Sequence, residues 1–178
     1  MKKLLFMLIA AFVSTAAFSQ TFEQGSNRLH LGVGFGSAYA ISGATSYTPP
    51  IHLSFEHGIS EKIGVGALIG YTGAKTTVPF FGDIKYSYII VGARGQYHFL
   101  SEDKYDVYGG AMLGYNIASV KWDNNTTSTF GVEPTAASSV AFGAFVGGRY
   151  NFSEKLAVFG ELGYSIAWIS AGICFNLN

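Results

Sequence analysis

Charged residues are scarce in this sequence. Lys, Arg, Asp and Glu make up 12% of its 178 residues, against about 25% in typical soluble domains. Such a chain has too few charges to cover the surface of a water-soluble protein. Its eleven basic and eleven acidic side chains also balance to a formal net charge of zero. We therefore expect no nucleic-acid partner, because nucleic-acid binding requires a basic face.

Cysteine and long apolar runs are scarce as well. Cys174 is the single cysteine, so an intramolecular disulfide is excluded. Beyond residue 19, no apolar run reaches the roughly 18 residues that a transmembrane helix needs. The histidines have no metal-ligand spacing relative to cysteine or carboxylates, and we expect neither a metal site nor a cofactor. They are His30, His52, His57 and His98.

Aromatic residues and glycines, in contrast, are abundant. Aromatic side chains make up 16% of the chain, which also contains 23 glycines. Few charges, many aromatics and no spanning helix together favour a β-barrel embedded in a membrane. The alternative is a soluble lipocalin-like barrel, which is also built from hairpins but should carry many Lys and Glu side chains on its outer face.

The N-terminus has the pattern of a secretory signal peptide. Lys2 and Lys3 precede an uncharged apolar run over residues 4–13. The small residues Ala17 and Ser19 stand at the two positions that a signal peptidase reads. We expect cleavage after Ser19, so that residues 1–19 are the signal peptide. The apolar run is too short to be an anchoring helix.

Residues 20–178 are predicted to form a single all-β domain. A polar turn, an alternating apolar run and a Gly-Tyr pair recur at Ser60–Tyr71, Ser101–Tyr115 and Ser153–Tyr164. Such a recurring unit indicates hairpins. Period-two alternation of apolar with small or polar residues predicts eight strands, over 29–39, 51–56, 63–71, 88–99, 105–115, 140–152, 156–164 and 169–177.

The connections between these strands predict the topology. Three tight turns alternate with four further connections, which include predicted loops at 41–50, 73–83 and 122–138 and a very short one before the last strand. Short turns on one side and mostly longer loops on the other are typical of an eight-stranded antiparallel up-and-down transmembrane β-barrel. The longer loops should face the outside of the cell, and loop 122–138 is the candidate site for an extracellular partner.

Strand length and aromatic positions agree with a membrane span. Eight residues, as from Ile63 to Tyr71, climb roughly 21 Å at a strand tilt of about 40°, close to the apolar band of about 25 Å. Aromatic girdles are expected at both rims of that band. The outer girdle should contain Tyr39, Tyr71, Tyr115 and Tyr164, and the periplasmic girdle Tyr97, Phe99, Tyr150, Phe152 and Phe175.

The opposite strand faces carry the candidate site. They are mostly Gly, Ser and Ala, but they also collect a predicted polar cluster of Glu56, Arg94, Arg149 and Glu161. Arg149 should lie opposite Glu161 or one diagonal step away across a hairpin. Side chains just fill the interior of an eight-stranded barrel. The cluster is therefore interpreted as a structural plug, and the alternative is a polar gate for small solutes.

Two further motifs were considered. His52-Leu53-Ser54 places His and Ser on one strand face, as in outer-membrane lipid A deacylases, with Glu56 on the same face. This face is assigned to the lumen, whereas a lipid hydrolase needs it at the lipid boundary, so ordinary strand polar residues are favoured. The glycines at 32, 34 and 36 lie within a strand and open no helix, which excludes a phosphate loop.

These features together resemble the small outer-membrane β-barrel proteins of Gram-negative bacteria: the OmpX-like and opacity-like proteins and the membrane domain of OmpA-type proteins. The resemblance covers the signal peptide, the eight strands, the Ser-Glu-Lys turns and the Gly-Tyr strand ends. It implies contact with outer-membrane lipids, lipopolysaccharide and the outer-membrane assembly machinery. Phe175 is the candidate for the aromatic residue near the C-terminus that this machinery recognises. It implies a monomeric, non-enzymatic protein that supports the membrane and presents loops, with a narrow channel as the alternative.

Overall fold

The computed structural model describes residues 22–37, 45–78, 82–122 and 137–177. These residues form eight β-strands. Their bounds are β1 Asn27–Ser37, β2 Thr45–Gly58, β3 Ile63–Val78, β4 Gly82–Ser101, β5 Tyr105–Trp122, β6 Ser139–Asn151, β7 Leu156–Tyr164 and β8 Ala167–Asn176.

The strands close into an antiparallel barrel in chain order. Each strand pairs with its neighbour in sequence, and β1 also pairs with β8, from Arg28 opposite Asn176 to Ser37 opposite Ala167. Closure gives every strand a hydrogen-bonded neighbour on both sides. The predicted fold, an eight-stranded antiparallel up-and-down barrel, is confirmed. We call the end that carries the three short turns, Phe22 and Leu177 the lower end, and the opposite end the upper end.

No helix in the described part of the chain is long and apolar enough to cross a membrane.

The apolar strand faces point outward, as the alternation predicts. Phe35 is 79% exposed and Leu113 is 65% exposed, while the polar residues Glu56 and Arg94 on the opposite face are almost completely buried. A soluble barrel would show the reverse distribution, because burial of apolar surface drives folding in water. This outward-facing set of apolar side chains, here called the apolar band, suits a hydrocarbon environment.

The recurring serine in the lower turns has a local explanation. The Ser60 hydroxyl accepts hydrogen bonds from the backbone N–H of Lys62 and Ile63, at 3.3 and 3.1 Å. The Ser153 hydroxyl accepts one from the N–H of Leu156, at 3.1 Å. Serine at the first position of such a turn satisfies backbone donors that no ladder partner reaches.

Two predicted loops are wrong in extent. β2 begins at Thr45, although residues 41–50 were predicted as a loop. β3 and β4 remain paired from Thr72 opposite Tyr88 to Val78 opposite Gly82, through most of the predicted loop 73–83. The two prolines of β2 are accommodated by register shifts between Ser46 and Ile51, where ladder hydrogen bonds are not required.

These extensions make the upper rim uneven. β3, β4 and β5 have 16, 20 and 18 residues, whereas β7 and β8 have 9 and 10. Over residues 72–77 of β3, both strand faces are polar or small, so alternation fails as a sequence signal there. β3 to β5 therefore project beyond the rest of the barrel.

The upper half of the interior is closed by apolar side chains. Ile166, in the two-residue connection between β7 and β8, is 1% exposed and folds inward, and a Cβ on Gly70 of β3 would collide with its Cδ1. It belongs to a buried cluster whose members are Leu68, Ile90, Met112, Ala141, Ile166 and Ala167. Lower in the barrel, Cys174 packs with Ala157 and Phe159. Its side chain points into the lumen, as its position in the inward phase of β8 predicts.

Candidate functional site in the barrel interior

A cluster of charged side chains fills the lower half of the barrel. Its members come from β1, β2, β4, β5, β6 and β7, and alternation turns each of them inward. Each is at most 7% exposed. We call this set the lumen cluster: Arg28, Glu56, Arg94, His98, Asp106, Arg149 and Glu161.

Asp106 contacts three other members of the lumen cluster. Its Oδ2 accepts hydrogen bonds from Arg28 Nη1 at 2.9 Å and from Arg149 Nη1 at 2.6 Å. Its Oδ1 lies 2.7 Å from Nδ1 of His98. A buried carboxylate requires several such donors, because water no longer solvates its charge. Asp106 thus joins β5 to its neighbours β4 and β6 and, across the lumen, to β1.

Glu56 closes a second set of contacts with the same cations. Its Oε2 accepts from Arg149 Nη2 at 3.0 Å, and its Oε1 lies 3.0 Å from Nε2 of His98. Both ring nitrogens of His98 therefore face a carboxylate oxygen, an arrangement that an imidazolium satisfies by donating from each nitrogen. Arg149 Nη2 also lies 2.8 Å from His30 Nε2, which must accept because a guanidinium only donates.

Arg94 and Glu161 form a separate pair higher in the lumen cluster. Arg94 Nη2 donates to Glu161 Oε1 at 2.6 Å, and the Tyr108 hydroxyl donates to the same oxygen at 3.1 Å. The Arg94 guanidinium also lies over the Phe145 ring, 4.0 Å from its centroid. The ring contributes a cation–π contact in a water-poor environment. Every carboxylate of the lumen cluster thus contacts at least one cation.

The segment before β1 closes the lower end. Phe22 is fully buried and stacks on the His98 ring, with centroids 3.6 Å apart. Arg28 lies 4.9 Å from the Phe22 centroid, and the Phe22 backbone N–H donates to the Ser101 hydroxyl. Below this point, a cleft of about 460 Å³ is lined mainly by polar residues of the turns and strand ends, among them Glu23 and Lys104.

The structure places the four sequence-predicted cluster residues in the interior but changes one pairing. Glu161 lies opposite Gly147, so Arg149 is one diagonal step away, as the sequence allowed. Arg149 nevertheless bonds Glu56 and Asp106, and Glu161 bonds Arg94. The sequence predicts a pair across the β6–β7 hairpin, whereas Arg149 bonds Asp106 across the β5–β6 ladder, and the pairs Arg149–Glu56 and Arg94–Glu161 cross the lumen.

Three residues of the lumen cluster, Arg28, His98 and Asp106, are not among the four predicted from the sequence. Arg28 stands one residue before the predicted first strand, and Asp106 lies within the predicted fifth strand. These two residues lie in the inward phase, next to the apolar outward residues Leu29 and Tyr105. Extending the alternation of the first strand by one residue would have found Arg28, and the inward phase of the fourth and fifth strands would have found His98 and Asp106.

The His52-Ser54 pair lies inside the barrel. Both residues are 3% exposed, and the Ser54 hydroxyl accepts from Arg94 Nη1 at 3.4 Å. Neither His52 ring nitrogen has a hydrogen-bond partner among the described residues. A nucleophilic serine needs a hydrogen-bonded base, so the arrangement does not match that of a serine hydrolase. No group of three or more His, Cys, Asp or Glu in the described ranges is placed to hold a metal ion.

The predicted girdle residues within the described ranges all lie on the outward face. Near the lower end, Tyr97 contacts Phe99 and Tyr150 contacts Phe152, with centroids 5.3 and 5.1 Å apart. Near the upper end, Tyr164 contacts Trp168, which the sequence analysis did not include. The other placed members are Tyr71, Tyr115 and Phe175. Tyr39 and residues 123–136 of loop 122–138 lie outside the described residues.

Comparison with known proteins gives the family. The sequence matches the family described as outer membrane protein beta-barrel domain over residues 5–172. A search of curated proteins gives no significant match.

Solved structures support the same architecture. OprG from Pseudomonas aeruginosa is similar with a TM-score of 0.55 and 13% identity, over 90% of this chain and 100% of that one. The N-terminal β-barrel domain of Pseudomonas aeruginosa OprF has a TM-score of 0.51 and 13% identity, over 86% and 98%. A de novo designed transmembrane β-barrel has a TM-score of 0.52 and 15% identity, over 87% and 98%.

At these identities, the structural similarity concerns the fold alone. The family match, however, spans most of the sequence. It agrees with the apolar outer face and the closed eight-stranded topology described above. The chain belongs to the outer membrane protein β-barrel domain family.

Proposed function

We propose that this protein is a non-enzymatic barrel that supports the outer membrane and presents its upper loops for contacts at the cell surface. The lower end faces the periplasm in this proposal. The protein works as a monomer, and residues 1–19 are removed on export. The observation that carries the proposal is the closure of the barrel interior at two levels.

The two levels close the lumen in different ways. The lumen cluster fills the lower half with paired charges, and Phe22 covers it from below. The apolar cluster around Ile166 fills the upper half. An eight-stranded barrel has an interior that side chains just fill, so little room is left for a hydrated solute.

Single-channel conductance of the refolded protein in a planar bilayer tests this proposal. We expect a stable, silent barrel, because no hydrated ion can pass both levels. Steady conductance in the wild-type protein would reject the closed-barrel function. A Phe22→Ala variant, which removes only the lower cover, should stay silent as well, because the lumen cluster and the apolar cluster around Ile166 remain.

A narrow channel for small or amphipathic solutes is the second candidate. It is favoured by buried polar atoms without hydrogen-bond partners among the described residues, including both His52 ring nitrogens, Gln96 Oε1 and Asn116 Oδ1. Buried polar groups of this kind are usually satisfied by water. A hydrated path along them would give measurable conductance, and that conductance would fall in a His52→Leu variant.

The proposed partners follow from the location. Outer-membrane lipids and lipopolysaccharide contact the apolar band and its rims, and the assembly machinery inserts the barrel, with Phe175 as the candidate recognition residue near the C-terminus. Loop 122–138 is proposed as the site for an extracellular partner. The interior position of His52 and Ser54 supports the absence of a lipid hydrolase activity from this proposal.

A further inference from the structure

Three lysines align across the outer face of the extended strands. In the β3–β4 ladder Lys75 lies directly opposite Lys85, and in the β4–β5 ladder Lys85 lies directly opposite Lys121. Alternation places all three on the outward face, in phase with the apolar residues below them. We call this set the lysine row.

The lysine row lies just above the apolar band. The highest apolar register across these strands is Tyr71, Ile89 and Ile117, and the next outward register is Gly73, Ser87 and Ser119. The lysine row follows two residues further along each strand. Four residues climb roughly 10 Å at a strand tilt of about 40°. Flexible lysine stems can bend back over part of that distance, so their ammonium groups reach the lipid headgroup layer that lies directly above the apolar band.

Like charges in direct cross-strand register destabilise a sheet unless an anion lies between them. Among the described residues of the upper β3–β5 strands, Asp83 is the sole carboxylate. It lies 3.5 Å from Lys75 Nζ and accepts a hydrogen bond from the Thr77 hydroxyl at 2.6 Å. The Thr77 hydroxyl holds the pKa of Asp83 below its usual range, so Asp83 remains ionised. Within the described upper part of these strands, three lysines thus stand against one carboxylate.

The aromatic surroundings fix the lower boundary of this basic surface. Lys85 Nζ lies 6.0 Å from the Tyr47 ring centroid. The Tyr47 and Tyr71 hydroxyls lie 3.5 and 3.2 Å from the Ser87 hydroxyl. Hydroxyl groups thus occupy the register between the apolar band and the lysine row, a gradation that matches the transition from acyl chains to phosphorylated headgroups.

We propose that the lysine row binds the phosphate groups of lipid A in the outer leaflet. This inference rests on the outer-membrane location and the orientation given in the proposed function. Phosphate is chosen because it is a compact dianion that can lie between adjacent ammonium groups and relieve their repulsion. Because the strands are tilted, each lysine of the row lies about 3 Å higher or lower than the lysine on the neighbouring strand. The three ammonium groups are therefore spread along a headgroup and do not converge on one point.

The test measures lipid A bound to folded protein. The protein is purified from outer membranes, reconstituted in phosphatidylcholine nanodiscs with added lipid A, and analysed for retained lipid A by mass spectrometry. The triple variant Lys75→Ser, Lys85→Ser, Lys121→Ser should retain at least roughly tenfold less lipid A. Each lysine near an anionic surface contributes about 1 kcal/mol to binding, which is about a fivefold change in affinity. The matched control replaces the lower-turn lysines Lys62, Lys104 and Lys155 by Ser and should retain lipid A at the wild-type level.

Two further arms keep the outcome unambiguous. Wild-type protein with dephosphorylated lipid A should show the same loss as the lysine-row variant, and this comparison does not depend on variant folding. Phosphatidylglycerol at equal charge density should compete poorly. Equal loss in both lysine variants, or equal retention of phosphatidylglycerol, would overturn the proposal. A silent, folded barrel that retains no lipid A would overturn this inference alone and leave the proposed function intact.

Discussion

At the scale of single residues, Arg149 illustrates how the interior is held together. Its two terminal nitrogens contact Asp106, Glu56 and His30, at 2.6 to 3.0 Å. These partners lie on β5, β2 and β1, so one guanidinium connects three strands to β6. Desolvating this charge is costly, and the contacts offset that cost only while all of them form.

Replacing Arg149 by Met should therefore destabilise the barrel strongly. The change leaves Glu56 and Asp106 with fewer cations in a water-poor interior, and we expect a loss of about 3 kcal/mol in the free energy of unfolding. Urea unfolding in lipid vesicles, followed by tryptophan fluorescence, measures this loss. Lys155→Met in an exposed turn is the control and should change stability by less than about 0.5 kcal/mol. Equal stability of both variants would show that the pairs contribute nothing.

The residues of the site could be predicted only partly from the sequence. Inward phase follows from alternation, and it identified Glu56, Arg94 and Glu161 as interior residues. Pairing was only partly predictable: Asp106 lies directly opposite Arg149 in the β5–β6 ladder, whereas Glu56 and His30 meet Arg149 across the lumen from strands far away in sequence. Local hairpin geometry carries no information about which side chain is met across a closed barrel.

At the scale of the strand, the inward glycines provide the space for the charged side chains. Gly64 and Gly66 of β3 flank Glu56, and a Cβ at Gly64 would collide with the Glu56 carboxylate. A Cβ at Gly66 would collide with the backbone carbonyl of Phe55 on the neighbouring strand. Backbone atoms in a ladder cannot move aside as the end of a side chain can.

Gly66→Ala should consequently cost about 1–3 kcal/mol of stability, the usual range for overpacking. Gly95→Ala on β4 is the matched control, because its added Cβ would meet no atom within 4 Å. That variant should keep or slightly raise the stability, since alanine restricts the unfolded chain. Thermal unfolding of both variants, read from heat-dependent mobility in gel electrophoresis, checks the difference. A loss as large for Gly95→Ala would contradict the packing explanation.

The strands themselves were predictable wherever one face meets lipid. Alternation is enforced there, and β6, β7 and β8 begin within two residues of their predicted starts. Above the apolar band neither face meets lipid, and over residues 72–77 of β3 the alternation of apolar and polar residues disappears. The additional pairing of β3 with β4 up to Val78 was for this reason invisible in the sequence, as was the start of β2 before its prolines.

At the scale of the whole molecule, the outer surface defines the environment. Exposed Val, Leu, Ile and Phe side chains surround the barrel, whereas its charges lie inside or near its two ends. In water this arrangement would leave a large apolar surface exposed. In a bilayer it is the favourable one, because the apolar band meets acyl chains and the backbone groups pair within the closed sheet.

The height of the bilayer along the barrel can be tested with two arginines on one strand face. Ala111 of β5 is outward-facing and six residues from both Tyr105 and Ile117, the ends of its apolar stretch, while Ser119 lies above that stretch. Ala111→Arg should cost about 2–4 kcal/mol and Ser119→Arg about 0–1 kcal/mol, because the penalty for a lipid-facing charge falls toward the membrane surface. Urea unfolding in vesicles measures both. In a water-exposed barrel the two substitutions would be equally tolerated, so equal costs would contradict the membrane placement. A large cost at Ser119 alone would place the bilayer higher on the barrel, across the lysine row.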